Sequence, residues 1–251
     1  MALRPPAPAA ALVLAVAASL LTGCAADPPT VSPSGVDLLE IPTPTPDPDD
    51  FVDTVDNPWL PLLPGAEWVY ETSDGRRITV SVAAGHRDVA GVTTTEVHEV
   101  VRDRDGDLEQ EHVDWFAQDE AGNVWHLAGE STTYDARARS TGETAWEAGV
   151  DGAQAGIAML AQPRRGDGYH EELAPGVAEG RATVVSLDGE AQVAVGSFEG
   201  LLVIDHTSPL VPGVVERRYH QRGRGLLLAE TVAGGTGGRE MVGFTAGSAA
   251  R

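Results

Sequence analysis

Along most of this chain apolar and polar residues alternate one for one. Ile78, Val80 and Val82 alternate with Arg77, Thr79 and Ser81, and Val113, Trp115 and Ala117 alternate with His112, Asp114 and Phe116. A period of two sends successive side chains to opposite faces of an extended strand, so these runs predict β-strands. Similar patterns predict further strands over Thr183–Leu187, Gln192–Val195, Leu201–His206, Val214–His220, Leu226–Val232 and Arg239–Phe244. Turn-forming residues lie between them: Asp74-Gly75, Asp105-Gly106, Gly122-Asn123, Asp188-Gly189, Pro212-Gly213 and the run Gly234–Gly238. Many short strands at hairpin spacing, with almost no helical periodicity, predict an all-β fold. The expected form is a single antiparallel sheet curved strongly into a barrel or half-barrel, with a two-sheet β-sandwich as the alternative.

Two N-terminal stretches break the alternation. The first has one basic residue, Arg4, then a continuous apolar run from about Ala9 to Leu21 that ends in small residues. That order is the order of an export signal, and the run is too short to span a bilayer comfortably. It closes on Leu21, Thr22, Gly23 and Cys24, and L-T-G-C resembles a bacterial lipobox. The resemblance implies cleavage before Cys24 and a diacylglyceryl group on its sulfur, an anchor to the outward-facing side of a cell membrane. Residues 1–23 are therefore expected to be a lipoprotein signal peptide. The second stretch, 24–50, includes P-T-P-T-P-D-P-D-D and is too poor in apolar residues to fold; it is expected to be an extended tether. The β domain is expected over 51–246, followed by a short tail, 247–251.

Composition narrows the functions. Cys24 is the single cysteine, so once it is lipidated no thiol remains for a disulfide, a thiolate metal site or a nucleophile. Seventeen basic residues, all arginine, face 38 acidic ones, a net charge of −21. Such a balance repels nucleic acid and anionic head groups and makes cations plausible company. No phosphate loop, dinucleotide fingerprint or hydrolase elbow is present, and no cofactor is implied.

Asp56–Glu71, D-N-P-W-L-P-L-L-P-G-A-E-W-V-Y-E, is held extended by Pro58, Pro61 and Pro64 and then turns into a strand on which Trp68 and Tyr70 share a face. It reads as the plug or opening strand of the domain. The region from Trp146 to Tyr169 interrupts the strand pattern, with a short helix conceivable over Ala153–Leu160. Long connections often carry function, so Trp146, Glu147, Asp151, Met159 and Tyr169 are the candidate lining of a pocket for a small molecule or lipid.

Other chemistry is weaker. His98, His112 and His126 recur at equal spacing and with Asp114 would suit a transition metal if register brought them to one face, but solvent-facing histidines are the commoner outcome and no metal is expected. Asp103, Asp105 and Asp107 crowd like a calcium loop, yet sit where a hairpin needs its Asp-Gly turn. Glu171 and Glu172 are adjacent, and adjacent strand residues point to opposite faces.

Asn57–Glu71, Asp114–Trp125, Trp146–Ala153 and Leu210–Glu216 together resemble a family of uncharacterised exported bacterial proteins with the motifs N-P-Y-F-P-L-x-P-G-T-x-W-x-Y-E, D-W-Y-A-Q-D-x-x-G-N-V-W, W-E-A-G-V-D-G-A and L-x-P-G-V-V-E. The chain departs from that pattern at Trp59 and Leu60, which replace the Tyr-Phe pair, at Phe116, which replaces Tyr, and at His126, where the family is more often aromatic. The resemblance implies export and brings no activity. The expected function is thus a non-catalytic, ligand- or partner-binding β domain of an envelope lipoprotein. The alternative is an extracellular hydrolase whose site gathers scattered His, Asp and Glu residues.

Overall fold

The computed structural model describes residues 47–248; Cys24, Leu21–Gly23, most of the Pro-rich stretch and the last three residues lie outside that range. A 3-10 turn, Pro48–Asp50, precedes fifteen strands. The first seven are β1 (Phe51–Val52), β2 (Glu67–Thr72), β3 (Arg77–Val89), β4 (Val92–Arg102), β5 (Leu108–Asp119), β6 (Val124–Tyr134) and β7 (Ser140–Glu147). Then come β8 (Gln154–Met159), β9 (Gly168–His170), β10 (Glu172–Leu173), β11 (Arg181–Val193) and β12 (Gly196–Thr207). The last are β13 (Val215–Gln221), β14 (Gly225–Ala233) and β15 (Gly238–Thr245).

All fifteen strands form one antiparallel sheet. Two runs of hairpins, β2 to β6 and β11 to β15, are joined where β2 pairs with β15. The path through the sheet begins at β10 and ends at β9, and these are consecutive in the chain with Glu171 alone between them. Both outer edges therefore lie on one short segment, Gly168–Leu173, and the sheet has to curl round to reach it. Because β9 pairs with β11 and β10 with β8, the ladder stays unclosed at this seam. The Glu171 N–H donates instead to the Gly180 carbonyl at 2.9 Å.

Burial follows from the curl. Leu201, Leu202, Val203 and Ile204 of β12 are all buried, as a continuous apolar run predicts for a strand covered on both faces. On β5, Trp115 and Ala117 are buried on one face, while His112, Asp114 and Phe116 look into the interior of the curl. The opening stretch is pinned through Asn57. Its side-chain amide donates to the carbonyls of Gly122 (2.8 Å) and Leu160 (3.1 Å), and its Oδ1 accepts from the Trp59 N–H at 2.8 Å. This seats Trp59 and Leu62 in the core.

Some expectations need correction. Asp188-Gly189 is not a turn: β11 runs through it with shifts of register, and the hairpin turns at Ala194-Val195, where Val193 pairs with Gly196. The glycine serves close packing, since a Cβ at Gly189 would lie 2.3 Å from Val203 Cγ2. No helix forms over Ala153–Leu160; Gln154–Met159 is β8, which takes the edge of β6 beyond the part that β7 covers. At the two ends of the described chain, the Asp50 carbonyl accepts from the Glu120 N–H at 2.9 Å, and the Ser248 N–H donates to the Pro64 carbonyl at 3.1 Å.

Candidate functional site

The inward faces of the sheet enclose a cavity of about 560 Å³, within the ordinary range of small-molecule sites. Leu60, Leu62, Trp68, Val80, Val97 and Leu226 give it apolar surface, and Asp114, His126, Glu171, Glu172, His206 and Arg218 bring charge to the same space. The polar groups come from β5, β6, β12, β13 and the seam.

His126 on β6 is held from both sides. Its Nε2 lies 3.0 Å from Asp114 Oδ1 and its Nδ1 3.0 Å from Glu172 Oε2. The ring is stacked on Phe116 with centroids 4.7 Å apart and meets Trp146 edge-on at 4.9 Å. Gly129 makes room for this arrangement: a Cβ there would sit 2.8 Å from both Asp114 Oδ1 and Trp146 Nε1. Burial works against charge on the ring, but the hydrogen bonds and charges of Asp114 and Glu172 outweigh it and push the pKa up to about 10. With both nitrogens donating, His126 is a fixed imidazolium and a poor general base at neutral pH.

Across the seam, His206 Nδ1 is hydrogen-bonded to Glu171 Oε2, and its Nε2 is buried without a partner. Arg218 donates from Nε to Glu216 Oε1 at 2.5 Å, and its Nη1 lies 4.0 Å from Glu171 Oε1. Burial tends to raise the Glu216 pKa, but Arg218 overrides it and holds that carboxyl at about 2. Arg239 and Glu99 pair at 2.9 Å. Burial, then the charges of His206 and Arg218, press His220 down to about 3 against a weaker pull from the Trp59 carbonyl, and neither ring nitrogen makes a well-formed hydrogen bond.

Of the five residues expected to line a pocket, Trp146 and Met159 do. Glu147 instead pairs with Arg87 at 2.7 Å, away from the cavity lining. Asp151 is exposed in the turn after β7 with φ 49°, and Tyr169 is buried opposite Ala182 with its hydroxyl unpartnered. The three equally spaced histidines part company: His112 and His126 line the cavity, whereas His98 bonds Glu96 at 2.5 Å outside it. Among the described residues no group of three or more His, Cys, Asp or Glu is placed to hold a metal ion. In the D-R-D-G-D loop, Asp103 Oδ1 accepts from the N–H groups of Asp105 and Asp107 at 2.9 Å each, as an ordinary turn would have it.

Glu171 and Glu172 overturn the expectation that neighbours point apart. Glu171 falls in the break between β9 and β10, where the alternation is interrupted, and both carboxylates enter the cavity, one to each histidine. His206 and Arg218 carried no motif. A signal was nonetheless present, because Glu216, Arg218 and His220 recur with period two on β13, a polar stripe on a strand with both faces partly or fully buried.

No family model matches the chain, and no curated protein matches it. Among solved structures, it is similar to a protein described as exported, with a YmcC-like fold, from Bacteroides fragilis, at 8% identity over 74% of this chain and 98% of that one, TM-score 0.42. A protein described as a lipoprotein from Parabacteroides distasonis is similar at 9% identity over 74% of this chain and 98% of that one, TM-score 0.38.

Proposed function

We propose that this is a lipid-anchored envelope protein, held to the outward-facing side of a membrane through Cys24, whose β domain binds a small amphiphilic molecule inside the curled sheet. The L-T-G-C motif and the tether sequence support the anchoring, and the family resemblance supports export. The cavity of about 560 Å³, lined by apolar and charged side chains together, carries the binding reading. Most of its charges already neutralise one another: His126 with Asp114 and Glu172, Arg218 with Glu216, Arg239 with Glu99. A site whose acids and bases are spent on each other is suited to holding a guest rather than transforming it.

One observation favours hydrolysis as a second reading. The Glu171–His206 pair leaves His206 Nε2 unpartnered, which is how a carboxylate orients a histidine base. Ser131 and Thr144 also line the cavity, but neither hydroxyl is hydrogen-bonded to a histidine.

Native mass spectrometry of the full chain purified gently from its own host, followed by denaturing analysis of what it releases, tests the proposal. A co-purifying small molecule or lipid is the expected result. An empty protein that cleaves ester substrates, and stops doing so as His206→Ala, would replace binding with hydrolysis.

A further inference from the structure

Register gathers six connections at one pole of the sheet. The β2–β3, β4–β5, β6–β7, β12–β13 and β14–β15 turns lie there, because Arg77 faces Arg102, Gln110 faces Thr133, Thr72 faces Arg239, Glu230 faces Gly238 and Val215 faces Ala233. The β10–β11 connection reaches the same pole at Arg181, opposite Thr207. Three of the six are charged, through Asp74 and Arg76, through Asp103, Arg104, Asp105 and Asp107, and through Asp135, Arg137 and Arg139. The other three differ: 173–178, 207–215 and 231–238 hold no charged side chain, in a chain of net charge −21.

The uncharged loops are also the apolar ones. Val177, Leu210, Val211 and Val232 are each at least 44% exposed. They follow one another round the rim, from the loop that enters β11, to the loop that leaves β12, to the end of β14. The last two are in contact, since a Cβ at Gly234 would sit 2.2 Å from the Gly213 carbonyl oxygen. Val177 and Ala178 line the cavity as well, so the cavity comes to the surface beside this patch. Apolar side chains grouped at one pole and lacking charged neighbours mark an interaction surface.

The chain enters the fold at the other pole. Asp50 accepts from the N–H of Glu120 in the β5–β6 turn, and a Cβ at Gly91 in the β3–β4 turn would lie 3.2 Å from Pro48 Cγ. The 13 residues of β3 separate the poles by roughly 40 Å. The Pro-rich stretch 24–46, drawn out at ~3.1 Å per residue, spans roughly 70 Å, enough for the far pole to turn back to the surface that holds Cys24. Elsewhere the acidic chain repels anionic head groups, and this sector lacks the charge that would do so. It also offers a protein partner no charged group to pair with, which suits a fluid apolar phase better than a second fixed surface.

We propose that this uncharged pole docks on the bilayer that holds the lipid anchor, with Leu210 and Val211 as the inserted tip and the cavity mouth at Val177 brought to the lipid surface. The proposal rests on the anchoring proposed above, does not need the cavity to hold a guest, and adds the face by which the domain meets the membrane. Insertion is shallow, at head-group depth, as for other interfacial segments.

The test uses the full lipidated chain in phosphatidylcholine vesicles, with a nitrobenzoxadiazole label on one introduced cysteine. The positions are Val211→Cys, Arg137→Cys in the charged sector of the same pole, and Glu120→Cys at the entry pole. Spin-labelled phosphatidylcholine should quench the label at 211 roughly threefold more strongly than at 137 or 120, as shallow insertion requires. Adding Leu210→Asp, an exposed change outside the core, should bring quenching at 211 down to the level of the other two. Equal quenching at all three positions, or the strongest at 120, would overturn the proposal. So would a label at 211 shielded from both the lipid quencher and aqueous iodide, in a chain that sediments as a dimer in detergent until Leu210→Asp is added; the patch would then join two copies. If intact mass shows Cys24 unmodified and the chain does not stay with the vesicles, the anchoring reading falls and the docking with it.

Discussion

His126 stands between two aromatic rings and two carboxylates, and each pair acts on it differently. Phe116 and Trp146 define a slot that suits any flat ring. Asp114 and Glu172 favour only the protonated imidazole. Relative to its ordinary value of 6.5, the His126 pKa is raised to about 10, so its stabilising share is full below pH 6.5 and is lost as pH rises through 10. Glu172 and Glu216 act in the opposite sense, being lowered from an ordinary 4.5; their share is full above that pH and is lost as pH falls, for Glu216 down to about 2. His220, lowered from 6.5 to about 3, adds a share that is full only above pH 6.5 and is lost as pH falls. Thermal denaturation followed by circular dichroism should therefore give its highest midpoint near pH 6.5, with a decline on both sides. His126→Phe should fill the slot yet cost roughly 1–3 kcal/mol at pH 7, because two carboxylates lose their charged partner, and it should flatten the alkaline limb. An alkaline decline unchanged in that variant would show that the imidazolium does not carry it.

At the level of strands, local chemistry was largely legible. Hairpins that turn on Asp74-Gly75, Asp105-Gly106 and Gly122-Asn123 announce themselves, because each glycine takes a positive φ that other residues resist. Reading failed where a residue's role lies in its spatial neighbours. Gly189 looks like a turn and is a packing contact, and Gly156, inside the stretch where a short helix is conceivable, is a site of backbone approach. The charged site was half legible: Asp114 and His126 stood out as candidates, but Glu171 was judged by strand alternation that the seam suspends, and His206 and Arg218 gain meaning only from the curl. A direct check lies in two glycines. A Cβ at Gly156 would be 2.3 Å from the Glu171 carbonyl carbon, and backbone cannot step aside as a side chain can. Gly156→Ala should lower stability by about 1–3 kcal/mol in urea unfolding, whereas Gly85→Ala, with open space round its Cβ and no positive φ, should stay within about 0.5 kcal/mol. Equal effects would mean that the close approach at Gly156 is not a constraint.

For the whole sheet, nearly every neighbour along the path is also near in sequence, except where β2 meets β15 and joins the two runs of hairpins. Everywhere but at Gly168–Leu173, strand is laced to strand by a ladder. At that segment β9 has three residues and β10 has two, and the two arms of the sheet are connected by chain rather than by cross-strand bonds. Amide hydrogen exchange should therefore be faster at Gly168–Leu173 than in the middle of β4 and β5, and protection there as strong as in β5 would contradict the account. A belt fastened at one adjustable hole can change its girth without being cut. On the binding reading proposed above, guests of different cross-section would be accommodated first at the Glu171 junction, where no ladder joins the two arms, with the ladders elsewhere left in register.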